Sequence, residues 1–201
     1  KADEKERAWA QGIEWIRLLV GYDGITIAVN PKNDFAREIS VEQLQKLWGE
    51  GSTATTWKDL DPSWPDRKIV LYSPDNDSGT FEFFVEAILG KGKHPREGVQ
   101  QSSDDNILVN GVAGDPDGIG YFGYAYYQAN KERLRAVALR ASADAPAVPP
   151  SPETIADKSY APLSRPLPDA RAFLRTTLGD TASEALAWAV PVPAAMAARR
   201  V

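Results

Sequence analysis

The chain has no cysteine and one histidine, His94, in 201 residues. Disulfides, thiolate zinc sites, iron–sulfur clusters and cysteine nucleophiles are therefore excluded, and so are metal sites built from several histidines. A serine–histidine pair could use only His94. Positive charge is also scarce: 23 Lys and Arg stand against 28 Asp and Glu, a formal net charge of −5. General nucleic-acid binding needs many phosphate-neutralising cations, so this balance argues against it. No run approaches the roughly 20 apolar residues of a membrane-spanning helix. The single methionine is Met196, and the chain starts at Lys1 with no basic-then-apolar leader. That start is expected of a chain whose upstream segment was removed, or of part of a longer one. What remains is an ordinary globular composition, 43% hydrophobic, of a length that suits one large domain or two small ones.

Periodicity places the elements. Residues 3–11 read as a short charged helix. The runs 14–20 and 25–29 are apolar and β-favouring, with Gly21-Tyr22-Asp23-Gly24 as a turn or bulge between them. Ser40 followed by Gln43 is a capping box, and Val41, Leu44, Leu47 and Trp48 give the next helix one buried face. A buried strand is predicted at 68–72, a helix at 80–89 ended by Gly90, and a charged, mobile loop at 91–98. Asp104-Asp105-Asn106 caps a helix through Val112. A strand at 119–122, a helix at 124–134 and a strand at 136–139 follow. Residues 141–150 are Ala/Pro-rich and read as a linker or exposed loop, and Ser151 caps a short helix with Pro152 in its first turn. Two helical stretches, 169–178 and 181–189, lie in the tail. Alternating strands and helices predict an α/β sandwich with helices on both faces of its sheet.

The segment with most chemistry is Val70 to Phe81, where a buried strand enters a polar loop that opens a helix. Such a turn aims free backbone N–H groups and the positive helix end at one point, which suits an oxyanion. Ser78 and Thr80 add hydroxyls, and Gly79 allows close approach to the backbone. From the local pattern alone, plain N-capping by Asp77 or Ser78 is the commoner use of these residues. The segment is no Walker loop, because the Gly-Lys-Ser/Thr ending is absent. It is no nucleophile elbow, since Asn76 occupies the position of the first glycine. As a calcium loop it fails where Gly79 and Thr80 stand in place of an oxygen ligand and an invariant glycine.

Four stretches, in order, resemble the phosphate-binding proteins of phosphate ABC transporters. These are Val20 to Pro31, Asp77-Ser78-Gly79-Thr80-Phe81, Gly118 to Tyr127, and Tyr160 to Leu167. The resemblance reverses the balance at Ser78. It implies a periplasmic-binding-protein-like α/β sandwich, a mixed sheet flanked by helices, forming one lobe of a type II Venus flytrap. Residues 1–24 would be a remnant of lobe one and the hinge, 25–160 lobe two, and 161–201 the hinge return and C-terminal helices of lobe one. Much of the first lobe, with its donors and its proton-accepting carboxylate, would lie outside this chain.

The implied function is to bind inorganic phosphate as the extracytoplasmic, periplasmic component of a phosphate importer. Its partners would be ABC permease subunits in the membrane, with no nucleic acid, and the protein is expected to be a monomer without enzymatic activity, cofactor or metal. The resemblance carries phosphate ligation to Ser78, Gly79 and Thr80, with Asp77, Asn106 and Arg165 as further candidates. Many members have an arginine four residues before the serine, where this chain has Pro74. Arg165 is a candidate for the missing cation, and a hinge or surface role is its plainer use. Asn106 and its neighbours Asp104 and Asp105 serve more commonly as caps. The alternatives are a fragmentary or degenerate lobe acting as an interaction or sensing module, and a serine-dependent phosphate-ester hydrolase for which only His94 could be the base.

Overall fold

The apolar run Leu19–Val29 forms one continuous strand, β1, of 11 residues. The turn expected at Gly21–Gly24 is absent, and the glycine there serves packing. A Cβ on Gly24 would lie 2.6 Å from Cδ1 of Ile155, so only glycine lets that side chain close on the strand. This computed structural model describes Ala10 and residues 19–168. Of the helix predicted at 3–11 only Ala10 is described, and it is helical, while the helices predicted at 169–178 and 181–189 lie outside the described residues. Two compact units are distinguished, residues 1–21 with 166–201, and residues 22–165. The elements below belong to the second, apart from the ends of β1 and β8.

Six strands form the main sheet. β3 (Val70–Pro74) lies between β4 (Gln100–Ser102) and β5 (Gly118–Gly123), parallel to both. β5 pairs antiparallel with β1, Ile25 opposite Gly123 and Val29 opposite Ile119. β6 (Arg135–Ala136) and β8 (Ser164–Pro168) also pair with β1. A second sheet joins β2 (Glu38–Ser40) and β7 (Ala138–Arg140) in parallel. The strand predicted at 136–139 is therefore divided between two sheets. Ala138 donates to Arg37 O at 3.0 Å, which turns the chain away from β1. β4 was not anticipated because Gln-Gln-Ser, an edge strand, carries no apolar alternation.

Helix α1 (Val41–Trp48) is capped as the sequence predicts: Ser40 Oγ accepts from Gln43 N, and Gln43 Oε1 accepts from Ser40 N at 2.9 Å. A short helix α2 (Trp57–Leu60) buries Trp57 and Leu60. Helix α3 (Gly79–Phe84) widens into a π turn, Val85–Leu89, and ends at Gly90, whose φ of 104° suits glycine. Helix α4 (Asp105–Gly114) follows β4. Helix α5 (Tyr124–Ala129) ends well before the predicted Leu134, because Asn130 leaves helical geometry and its N–H bonds back to Tyr127 O. Helix α6 (Pro152–Ala156) begins at the Ser151 cap.

Alternation along β5 assigns the two faces. Phe122 packs with Leu108, Val109 and Val112 of α4. On the opposite face Tyr121 stacks on Phe84 of α3, ring centroids 3.8 Å apart, and both meet Trp48 of α1 edge-on. Helices thus flank both faces of a mixed sheet, the architecture expected. Asn30, at the end of β1, donates to the α4 carbonyls of Val112 and Ala113 at 3.0 and 2.7 Å. That bond pair fixes the far end of α4 and so aims its near end.

Two loops are more ordered than composition suggested. In 91–98, Pro95 bridges to Gly49, and Arg96 donates its N–H to Trp48 O at 2.8 Å, closing the end of α1. In 141–150, Val148 and Leu139 exchange backbone hydrogen bonds of 2.9 Å, so the segment folds back as a loop. Among the described residues no helix is long and apolar enough to cross a membrane.

Phe84 is 1% exposed and is the ring that joins α3 to the sheet. Phe84→Ala is expected to cost about 3–5 kcal/mol in denaturant unfolding. Tyr126→Ala, at an exposed position, should stay within about 0.5 kcal/mol.

Candidate functional site

Strand register brings three helix starts to one edge of the sheet. Pro74 of β3 lies opposite Ser102 of β4, and Tyr72 lies opposite both Gln100 and Gly120. The strands are parallel, so the chain leaves all three at the same edge, into α3, α4 and α5. Ligands of open α/β sheets gather outside the carboxyl ends of parallel strands, where helix N-termini collect. β3 is the middle strand of the three, which puts the Asp75–Ser78 turn at the centre of that edge.

The three starts are capped differently. Ser78 Oγ accepts from the amides of Thr80 (3.2 Å) and Phe81 (3.5 Å). The capping use expected of Ser78 is therefore seen. As acceptor the hydroxyl completes the helix, and its own proton remains available to a ligand. This cap takes the second and third amides of α3, and Gly79, the first residue of the helix, is exposed. A Cβ on Gly79 would meet nothing within 4 Å, so the space beside this residue is open. The Asp75 turn is closed by its own bonds, Ser78 N to Asp75 O (3.1 Å) and Asp77 N to Asp75 Oδ1 (3.2 Å). Asp77 itself is exposed on the turn.

On the β4 side, Asp104 caps α4 by accepting from both the backbone and the side-chain amide of Asn106, at 2.8 and 3.0 Å. Asn106 thus works as the cap partner that its position suggested. Beside it, burial pushes the Asp105 carboxyl above its ordinary value, and the negative charge of Asp104 adds to the shift. On the β5 side, Gly123 is the N-cap of α5 and provides no side-chain acceptor. This third start was not singled out from sequence, although a glycine closing a strand directly before a helix is a legible signal.

Arg165 is paired with Asp23. Its Nη2 and Nε donate to Asp23 Oδ2 at 3.1 and 3.3 Å. A separate pocket of about 370 Å3, with Lys32 and Arg133 on its wall, opens at the C-terminal end of α4 near Gly114. Its two cations oppose a helix end of negative polarity, whereas the Ser78 edge combines open amides with positive helix ends. The Ser78 edge is the better place for an oxyanion.

Comparison with known proteins bears on this edge. Residues 1–167 match the family model described as a PBP superfamily domain. The phosphate-binding protein PstS of Staphylococcus saprophyticus is 40% identical over 167 residues, 83% of this chain and 50% of the relative. Protein SphX of Synechocystis is 41% identical over 157 residues, 77% of this chain and 46% of the relative. The chain thus spans about half the length of these curated relatives. Among solved structures, one described as a possible phosphate-binding protein from Planctomyces limnophilus superposes with a TM-score of 0.78 at 36% identity. It covers 97% of this chain and 73% of that one. PstS from Borrelia burgdorferi, 20% identical, has a TM-score of 0.65 over 85% of this chain and 70% of its own, and shares the fold.

The raised Asp105 carboxyl makes a pH-dependent prediction. A carboxyl held above its ordinary value destabilises the folded state while ionised, and the penalty disappears as pH falls through the carboxylate range. Asp105→Asn is therefore expected to raise the melting temperature at neutral pH. Its advantage should shrink on acidification and be gone below about pH 4.

Proposed function

The chain belongs to the PBP superfamily, and from that premise we propose that it binds inorganic phosphate through Ser78, Gly79 and Thr80. On this reading it is the lobe-two part of the extracytoplasmic, monomeric substrate-binding component of a phosphate ABC importer. It would deliver its ligand to permease subunits in the membrane. Residues 25–160 are assigned to lobe two, 1–24 to the hinge and a remnant of lobe one, and 161–201 to the return.

The observation that carries the proposal is the Ser78 cap. It satisfies the inner amides of α3, leaves a hydroxyl proton and the Gly79 amide to a ligand, and sits on the middle strand of three that end at one edge. A phosphate stripped of water needs several short donors in fixed directions, and a helix start supplies them without a mobile counter-charge. The relatives support the identity of the anion, since PstS is named for binding phosphate. A hydrolase would need a base at Ser78. The described partners of its hydroxyl are two backbone amides, and His94 is exposed in the 91–98 loop.

Titration of the 201-residue chain with phosphate, followed by amide NMR, tests the proposal. The Gly79 and Thr80 resonances are expected to move saturably. Ser78→Ala should weaken the response about tenfold or more, the worth of a hydrogen bond to a charged group. Sulfate should move the same amides, because its rejection depends on the proton-accepting carboxylate that the family places in the first lobe. No movement at Gly79 and Thr80 with phosphate would sink the reading.

A further inference from the structure

Arg165 is engaged on two sides. Its Nε and Nη2 edge is taken by Asp23. Its guanidinium carbon stands 4.6 Å from the centroid of the Phe83 ring. Both ion-pair partners are about a third exposed, 35% for Arg165 and 30% for Asp23. An anion recruited by this guanidinium would compete with a carboxylate already in place. Phe83 belongs to α3, three residues after Thr80 and four after Gly79. That spacing puts the ring on the helix face that carries both.

Asp23 and Arg165 also occupy a particular place in the chain. The unit 22–165 begins one residue before Asp23, in β1, and ends at Arg165, in β8. The ion pair therefore ties together the two strands by which the chain enters and leaves this unit. The stacked ring attaches that tie to the helix of the Ser78 loop.

We propose that Arg165 is a positioning residue for the anion loop. Held by Asp23, it bears on Phe83 and sets the orientation of the Gly79 and Thr80 donors relative to the two crossing strands, without touching the anion. The inference rests on the phosphate reading for one of its two readouts; the other needs no ligand.

The test uses the 201-residue chain with Arg165→Gln, Arg165→Lys, Phe83→Leu and the double variant Arg165→Gln/Phe83→Leu. Without ligand, Arg165→Gln and Phe83→Leu are each expected to move the Gly79 and Thr80 amide resonances, and Arg165→Lys to restore them largely. With phosphate, each of the two should weaken binding about 3- to 10-fold, the range of a partly exposed cation–ring contact. The double variant should be no weaker than either alone, since both remove one contact. Unmoved Gly79 and Thr80 amides would overturn the proposal. So would weakened binding in Arg165→Gln with Phe83→Leu silent, which would make Arg165 a direct ligand. Additive losses in the double variant would overturn it as well. If the unsubstituted chain shows no phosphate response while the amides still move, the phosphate reading fails and the positioning role stands.

Discussion

The shared register of β4, β3 and β5 is the constraint on which the rest of this structure depends. Tyr72 faces Gln100 on one side and Gly120 on the other, and the three strands run the same way. Everything at the candidate site follows from their leaving the sheet together. The register is held by packing, because Tyr121 must face Phe84 and Trp48 while Phe122 faces α4. A slip of one residue would exchange the two rings and bury each in the wrong layer. Asn30 adds a fixed point at the far end of α4, so that helix cannot slide along the sheet without breaking two bonds to its last-turn carbonyls.

On the phosphate reading proposed above, the electrostatic problem is how a chain of net charge −5 would hold an anion. The groups that bear on it act over short distances. Asp75 and Asp104 turn their carboxylates toward backbone amides next to them, so their charge is partly spent locally. Ser78 directs its lone pairs inward and keeps a proton to offer outward. Directed dipoles of this kind act over a few ångströms, whereas a diffuse negative field is screened over about 10 Å. The Lys32 and Arg133 pocket shows the contrast: cations are present there, but the helix end they adjoin has the wrong polarity.

Family membership and the half-length match to curated relatives fit together with this picture. The α/β unit of residues 22–165 carries the three helix starts on one sheet edge. Its crossing strands are marked by the Asp23–Arg165 pair and by the ring that pair holds.

Much of this was legible in the residues themselves. The Ser40–Gln43 box, the Ser78, Asp104 and Ser151 caps and the ends of α3 and α4 rest on contacts within a few residues, which local sequence records. The α/β order was readable from periodicity, whereas the Ser-Gly-Thr loop was singled out by its resemblance to a family and by its local pattern would have been taken for a cap. The continuity of β1 through two glycines was not, because Gly24 answers to Ile155, 131 positions further on (155 − 24). Nor was the splitting of 136–139 between two sheets, the folding back of 141–150, or the anchoring of the 91–98 loop by Arg96. By itself the sequence determined where α1, α3, α4, α5 and α6 start, though not α2, and which residue types could offer donors, since caps and turns are decided by neighbours along the chain. Only the tertiary structure decided that three of those starts share one edge and that Arg165 belongs to Asp23 and Phe83. Strand register and long-range ion pairs are settled by packing between segments that no local pattern connects.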